Sequence, residues 1–344
     1  MKTLIMEAPG KVVLEERPVP VPKEGEALLK LLYGGICGSD LGSYRGSFAY
    51  FDYPRIPGHE FSAEILSVRE NAYGLKPGMI VTCNPYFNCG TCYSCRRGLV
   101  NCCESNQTMG CQRDGAFSQY ITMPVERIYD GKGLAPKTLA LIEPFCISYH
   151  GVQQANIQSG ERVLVMGAGA IGVLAAAAAK TRGAQVWIAD VAREKLAYAQ
   201  ENFGLDGMIL NDSPAHFAQQ VSSITGGDGF DVTIEAVGLP ATFQSCIDAA
   251  AFCGRVVLIG IGKQNLDFNF TMIQKKELHI SGSRNALRRD FEELIDLVKS
   301  GRIDLDRIVT DVYPFEESPR AFAEFSANAG RMLKVLLDFT GSAC

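Results

Sequence analysis

The sequence predicts an α/β protein in which a β-rich domain is combined with a doubly wound parallel sheet inserted in the chain. Up to about residue 145, glycine, proline and short β-type runs such as EFSAEILSV alternate with turn signals. From residue 146, apolar strands alternate with helix-like stretches, beginning with ERVLVMGAGAIGVLAAAAAK, which is typical of a parallel sheet covered by helices. The segment after 286 is too short for a domain of its own, so we expect it to pack onto the first domain.

The expected domains are therefore residues 1–145 with 287–344, and residues 146–286. A length of 344 residues fits two domains, and 47% hydrophobic with 21% charged residues indicates a globular protein. The net charge of -5 argues against a nucleic-acid partner. No leader pattern opens the chain, and the aliphatic run 171–179 is too short to cross a bilayer. We therefore expect a cytoplasmic protein with no membrane contact. Its twelve cysteines are expected to be reduced, so a cluster of them is expected to hold metal.

A glycine turn predicts dinucleotide binding in the second domain. Gly167, Gly169 and Gly172 form G-x-G-x-x-G between an apolar strand and a helix-forming run, and Asp190 ends the next strand. The glycines allow a tight turn, close approach of a diphosphate, and close packing of helix on strand. Asp190 would accept hydrogen bonds from the ribose and repel a 2′-phosphate, which favours NAD over NADP, although Arg193 could serve a phosphate. A Rossmann-like sheet without a nucleotide is the alternative.

The cysteine-rich stretch NCGTCYSCRRGLVNCC predicts a structural zinc site. Cys89, Cys92, Cys95 and Cys103 follow the spacing C-x2-C-x2-C-x7-C, and small or polar residues between the first three let the chain curl around one ion. Four thiolates complete a tetrahedral shell without room for a substrate. Cys102 is the alternative fourth ligand, and a chance cluster of free thiols is the alternative to a metal site.

A second, open metal shell is indicated by Cys37 in GGICGSD, His59 in PGHE and Glu143 in LIEPF. A thiolate, an imidazole and a carboxylate are a credible zinc shell with a free fourth position. Taken singly, each residue has an ordinary structural explanation, as core filler, buried histidine or acidic residue at the start of a helix.

Together, GICGSD, PGHE, the four-cysteine stretch, IEP and GAGAIG resemble the zinc-dependent medium-chain alcohol dehydrogenases, in that family's order and over essentially the whole chain. The resemblance implies a GroES-like catalytic domain interrupted by a Rossmann domain. It implies two zinc ions per chain, one structural and one catalytic, with Cys37 and His59 as catalytic ligands. Glu60 or Glu143 would take the third position, directly or through water.

Glu143 stands where many members have cysteine, so the chain resembles the polyol and sugar-acid branch, and GSRNA and QRDGAFSQY resemble bacterial hexonate dehydrogenases of the L-galactonate or L-gulonate type. The resemblance implies oxidation of a secondary hydroxyl, with polyols or L-threonine as alternative substrates, and a homodimer or homotetramer. The remaining cofactor contacts are expected at Ile171, Ala236, Val237, Gly260 and Ile261.

The chain departs from the family at Gly42, where many relatives have a histidine that passes the proton to solvent. The proton is then expected to pass through Ser39 and water, or through a cofactor ribose hydroxyl alone, and Asp40 is expected to orient His59. Arg113 or Arg284 could bind a substrate carboxylate, although surface or structural roles are the simpler interpretation. A zinc- and NAD-binding scaffold or redox sensor is the alternative to an enzyme.

Overall fold

The computed structural model describes residues 1–262 and 264–341 and confirms the predicted combination of a β-rich domain with an inserted doubly wound sheet. The chain divides into two compact units. We call the first the terminal unit, which consists of Met1–Pro144 and the segment that begins at Leu287. The second is the inserted unit, Phe145–Ala286.

The first part of the chain is mostly strand. Its strands are β1 (Lys2–Ala8), β2 (Lys11–Glu16), β3 (Glu26–Ile36), β4 (Glu60–Ser67), β5 (Ile80–Cys83), β6 (Tyr86–Phe87), β7 (Gln107–Thr108), β8 (Tyr120–Pro124) and β9 (Ile128–Asp130). Its helices are α1 (Gly38–Tyr44), α2 (Tyr93–Arg96), α3 (Pro136–Leu139) and α4 (Ile142–Ala155), with 3-10 turns at Val100–Cys102 and Val125–Arg127.

In the inserted unit, strands and helices alternate. The strands are β10 (Arg162–Met166), β11 (Gln185–Asp190), β12 (Gly207–Leu210), β13 (Phe230–Glu235), β14 (Ala250–Leu258) and β15 (His279–Gly282). The helices are α5 (Ala170–Lys180), α6 (Arg193–Phe203), α7 (Pro214–Thr225), α8 (Pro240–Ala249) and α9 (Thr271–Lys276).

The chain then returns to the terminal unit. The elements of this segment are α10 (Arg288–Lys299), 3-10 turns at Leu305–Ile308 and Phe315–Glu317, β16 (Val309–Pro314), α11 (Ser318–Asn328) and β17 (Lys334–Asp338). Helix α10 begins with Asp290 accepting a hydrogen bond from the backbone of Leu287 at 2.7 Å, and it buries its apolar face, including Phe291. No helix in the described parts of the chain is long and apolar enough to cross a bilayer.

The main sheet of the terminal unit has the order β16-β17-β3-β4-β5-β9, and β8 also pairs with β3. The central strand β3 pairs antiparallel with both β4 and β17. Gly35 lies opposite Glu60 in one pairing, and Ile36 lies opposite Val335 in the other. The end of β3, the start of β4 and the start of β17 therefore meet at one edge of the sheet.

The inserted unit has a parallel sheet in the order β12-β11-β10-β13-β14-β15. This is the strand order of a dinucleotide-binding Rossmann domain. Its central strand β10 is almost wholly buried, as is α5 from Gly172 to Ala179. Small alanine side chains let this helix lie close to the sheet, which positions the glycine turn between β10 and α5.

Candidate metal centre and cofactor site

The sheet of the terminal unit brings three candidate metal ligands together. Cys37 directly follows β3, and His59 directly precedes Glu60, the first residue of β4. Because Gly35 pairs with Glu60, the three side chains lie at the same strand ends. One ligand atom from each of Cys37, His59 and Glu60 lies within 4.8 Å of the others.

These residues fit a zinc ion. The side chains offer one sulfur, one imidazole and one carboxylate, the donor types of open zinc sites. His59 is 5% exposed, and its Nδ1 makes no hydrogen bond within the described residues. A buried ring nitrogen without a partner is costly to stability, so the burial of this imidazole points to a functional role.

A buried ion pair holds Glu60. The ammonium of Lys334, in the first position of β17, donates to both carboxylate oxygens of Glu60, at 2.7 Å to Oε1 and 2.6 Å to Oε2. Both side chains are buried. A Cβ added at Gly35 would lie 2.2 Å from Glu60 Oε2, so glycine makes the space for this carboxylate. Lys334 was missed from sequence; a signal was present in MLKVLL, where apolar residues flank the lysine on both sides.

Glu143 lies nearby but outside that tight group of three ligand atoms. Its Oε1 accepts a hydrogen bond from the hydroxyl of Tyr86, and both residues are buried. Burial is the largest influence on the Glu143 carboxyl and raises its pKa to about 7, while the charge of His59 opposes that rise. Tyr86 was also missed, because an aromatic residue beside the cysteine stretch reads as ordinary packing.

Asp40 holds the backbone of the ligand segments and does not hydrogen-bond to His59 in the described structure. Its Oδ2 accepts from the backbone N–H of Cys37 at 3.0 Å, and its Oδ1 from that of Gly58 at 3.2 Å. Burial raises the pKa of the Asp40 carboxyl. The expected orienting hydrogen bond to His59 is thus corrected: one buried carboxylate joins the two segments that carry Cys37 and His59.

Ser39 and Gly42 lie in the first turns of α1. Ser39 is half-buried, and its backbone oxygen accepts from Ser43 Oγ at 3.0 Å. A Cβ at Gly42 would lie 3.3 Å from Phe48 Cβ, a tight contact that disfavours a large side chain there. Space for the family's histidine at position 42 is therefore restricted, while Ser39 lies three residues earlier in the same helix.

The cysteine-rich stretch folds so that four of its sulfurs lie close together. Ligand atoms of Cys89, Cys92, Cys95 and Cys103 all lie within 4.8 Å of one another. Backbone N–H groups of Thr91 and Cys92 point at the Cys89 sulfur and lower its pKa to about 6, while burial raises the pKa of Cys103 to about 11. Four sulfurs gathered this closely fit a closed zinc site. Cys102 is exposed and outside the group.

The glycine turn has the geometry of a diphosphate cradle. Gly167 has a φ of +106°, and a Cβ on Gly172 would lie 1.8 Å from the Gly167 carbonyl oxygen. A Cβ on Gly169, at the start of α5, would meet nothing within 4 Å. The second glycine therefore keeps space open rather than avoiding a clash in the protein, which fits close approach of a ligand.

Asp190 and Arg193 follow at the end of β11. The Asp190 carboxylate accepts from the backbone N–H of Ala168 at 2.7 Å and of Ala192 at 2.9 Å, so it ties the glycine turn to the next loop. Arg193 is exposed, and its side chain has no partner within the described residues. Both residues lie where a ribose or its phosphate would be read.

The remaining expected cofactor contacts lie beyond the carboxyl ends of β13 and β14, except Ile171 in the first turn of α5. Glu235 organises the first of these loops by accepting from the backbone N–H groups of Val237 and Gly238, each at 2.9 Å. The side chains of Val237 and Ile261 are exposed although apolar. The expected set occupies the sheet edge where Rossmann domains bind nucleotides: Ile171, Ala236, Val237, Gly260 and Ile261.

Within the described residues, Arg113 makes no hydrogen bond to Cys37, His59, Glu60 or Glu143. Its guanidinium lies 3.6 Å from the ring centroid of Phe87, and Arg127 lies 4.3 Å from the same ring. Phe87 follows Tyr86 in a strand, where successive side chains point to opposite faces, and Tyr86 faces Glu143. Arg113 is therefore packed on the Phe87 ring, which supports a structural role. Arg284 is exposed, two residues after β15.

Known proteins are similar to this chain in the regions that carry these sites. A family model described as alcohol dehydrogenase GroES-like domain matches residues 23–132, and one described as zinc-binding dehydrogenase matches residues 170–300. The chain is 37% identical over 339 residues to L-galactonate-5-dehydrogenase of Escherichia coli K12, covering 98% of this chain and 99% of that protein. It is 30% identical to sorbitol dehydrogenase of Halalkalibacterium halodurans over 98% of this chain and 99% of that one.

Among solved structures, the fold is similar to that of the alcohol dehydrogenase RspB from Escherichia coli CFT073, complexed with NADH. The TM-score is 0.91 at 30% identity, over 98% of this chain and 99% of that chain. Sequence and fold similarity thus extend over both units.

Proposed function

The chain belongs to the zinc-dependent medium-chain alcohol dehydrogenases, in their polyol and sugar-acid branch, and we propose that it oxidises a secondary hydroxyl of a hexonate to the ketone. The best candidates are L-galactonate and L-gulonate, oxidised at C5. The observation that carries the proposal is the buried group of Cys37, His59 and Glu60, in which His59 Nδ1 has no partner among the described residues. A stability role alone gives no reason to bury an unsatisfied imidazole.

Cys37 and His59 would hold the catalytic ion, and the carboxylate of Glu60 or Glu143 would be the third protein ligand. When bound, zinc supplies a positive charge that lowers the pKa of a substrate hydroxyl. Ser39 Oγ would accept the hydroxyl proton and pass its own proton to solvent or to a cofactor ribose, because Gly42 offers no side chain for that step. The second zinc ion would be held by the four-cysteine group and would be structural.

The dinucleotide would bind at the glycine turn, with its diphosphate at the start of α5. When bound, NAD would supply the acceptor for a hydride from the substrate carbon, so the overall products would be ketone, NADH and one proton. We propose NAD over NADP because the Asp190 carboxylate would repel a 2′-phosphate. Arg193 lies three residues on and is the feature that would favour NADP if this preference is wrong.

Substrate choice within the branch rests on similarity to L-galactonate-5-dehydrogenase. A polyol is the second candidate because sorbitol dehydrogenase is also similar over nearly the whole chain. L-Threonine is a further alternative. The two leading candidates differ by a carboxylate, so they can be separated with matched substrates.

The test is a substrate screen that follows NADH by absorbance with L-galactonate, L-gulonate, sorbitol, galactitol and L-threonine. We expect the hexonates to give the highest kcat/KM and the purified chain to hold two zinc ions. Cys37→Ser is the control: it should retain one zinc ion and lose activity by more than about a hundredfold. Equal rates on neutral polyols and their sugar acids would reject the hexonate, and full turnover by Cys37→Ser would reject the assigned centre.

A further inference from the structure

Tyr86, which donates its hydroxyl hydrogen bond to Glu143, is held in a fixed position. Tyr86 is 7% exposed and lies in β6, which pairs with β7. Its backbone N–H donates to Asn84 Oδ1 at 2.9 Å, and its backbone oxygen accepts from the guanidinium of Arg127. With the backbone held on both sides and the ring buried, the phenol has little freedom to turn away from Glu143.

The two carboxylates beside Cys37 and His59 are held in different ways. Both oxygens of Glu60 accept from Lys334. Glu143 accepts from Tyr86 through Oε1, and its Oε2 makes no hydrogen bond within the described part of the chain. A neutral donor on one oxygen fixes the orientation of the group and leaves the other oxygen as an acceptor.

We propose that Tyr86 is a positioning residue that holds Glu143 by Oε1 and keeps Oε2 available at the catalytic metal centre. The inference rests on the proposed function in one respect, because it requires an ion held by Cys37 and His59. It adds to that function a specific hydrogen-bond partner, Tyr86, that acts through Glu143. Hydrogen-bond partners of metal-site carboxylates commonly change metal affinity tenfold to a hundredfold when removed.

Tyr86→Phe removes the one hydroxyl and keeps the ring. A matched control exists in the same unit, where the hydroxyl of Tyr313 donates to Glu324 Oε2 at 2.6 Å, and Glu324 also accepts from Arg320. Tyr313→Phe therefore removes a tyrosine–glutamate hydrogen bond that involves none of the candidate metal ligands. A general effect of losing such a bond would appear in both variants.

The readout is metal binding rather than turnover. The chain is loaded with Co²⁺, whose visible absorption reports ligand type and geometry, and release to a chelator is timed. The signal of the ion at Cys37 is identified by comparison with Cys37→Ser, in which that ion is missing. For Tyr86→Phe we expect this ion to be released about tenfold to a hundredfold faster, with a changed absorption band, and for Tyr313→Phe we expect wild-type behaviour. Wild-type release and spectrum in Tyr86→Phe would overturn the proposal.

A double-mutant cycle with Glu143→Gln tests whether Tyr86 acts through Glu143. If it does, adding Tyr86→Phe to Glu143→Gln changes the release rate by less than about twofold, whereas independent action would multiply the two effects and contradict the inference. If Tyr86→Phe alone does not fold, a folded double variant supports the inference, because the defect then came from the unpaired carboxylate. A double variant that also fails to fold rejects it.

Failure of the proposed function gives a different pattern. If none of the substrates is oxidised but Tyr86→Phe still alters the Co²⁺ spectrum and release, the positioning role stands without the dehydrogenase substrate. If Cys37→Ser retains both ions, the metal centre itself is wrong, and the Tyr86 proposal is rejected with it.

Discussion

Lys334 and Glu60 form a buried ion pair although they are 274 residues apart in the chain, with the ammonium within 2.7 Å of both carboxylate oxygens. The register of two strand pairings produces it. β17 runs antiparallel to β3, and β3 runs antiparallel to β4, so the first residues of β17 and β4 lie on either side of the end of β3. The pair therefore fixes a candidate metal ligand from the far end of the chain.

Removing the ammonium should leave an uncompensated buried charge. We expect Lys334→Met to lower the free energy of unfolding by about 3–5 kcal/mol, measured by urea denaturation at fixed zinc. Lys132→Met is the control, because Lys132 pairs with Asp296 at 2.5 Å on the surface and should lose less than about 1 kcal/mol. The double variant Lys334→Met/Glu60→Leu should be more stable than Lys334→Met alone. Equal losses in the buried and surface variants would contradict this account.

The stability of the metal-free protein should fall as the pH rises from about 5 to about 7. Burial raises the pKa of Glu143 from 4.5 to about 7, so in this window the folded chain keeps a proton that the unfolded chain has released. Rising pH then favours unfolding, by up to about 3 kcal/mol over the window. Glu143→Gln should flatten this dependence in urea titrations of chelator-treated protein. Parallel pH profiles for the two proteins would show that Glu143 does not hold the proton.

Substitution of two adjacent cysteines, Cys102 and Cys103, should have very different effects on the zinc content of the protein. Cys103 is buried within the four-sulfur group, while Cys102 is exposed outside it. We expect Cys103→Ser to lose one zinc ion per chain and to become sensitive to proteolysis between β6 and β7, because metal binding there is also folding energy. Cys102→Ser should keep both ions. Elemental analysis decides the point, and zinc loss in the Cys102 variant would mean the fourth ligand is misassigned.

Alanine substitutions at two glycines of the same turn should affect stability and NADH binding differently. In Gly172→Ala the new Cβ would lie 1.8 Å from a backbone oxygen, so we expect about 1–3 kcal/mol of lost stability together with weaker NADH binding. In Gly169→Ala the Cβ meets nothing within 4 Å, so the melting temperature should be nearly unchanged while NADH binding weakens. Calorimetry and NADH fluorescence titration measure the two effects. Wild-type NADH affinity in Gly169→Ala would argue against a diphosphate at this turn.

Some of the candidate sites could be predicted because their parts are close in sequence. Cys89, Cys92 and Cys95 recur at intervals of three, and the glycines of 167–172 follow directly on a strand. Local spacing restricts local geometry, so a short peptide already specifies which atoms can meet. The doubly wound sheet was equally readable, because each of its strands and helices carries its own hydrophobic pattern.

The partners of the carboxylates could not be predicted in this way. Tyr86 and Lys334 look like an ordinary aromatic residue and an ordinary strand lysine until the fold puts them beside Glu143 and Glu60. Asp40 likewise was expected to hydrogen-bond to His59, and the structure shows it joining two backbone segments instead. Side-chain type says what bonds a residue can make, but not which one it makes.

The sequence by itself determined the fold class, the glycine turn and the four-cysteine loop, since these depend on periodicity and short spacing. Only the tertiary structure decided which residues hold the two buried carboxylates beside Cys37 and His59. The physical reason is that strand register joins residues tens to hundreds of positions apart, and a buried charge or hydroxyl is stabilised by whichever partner that register supplies.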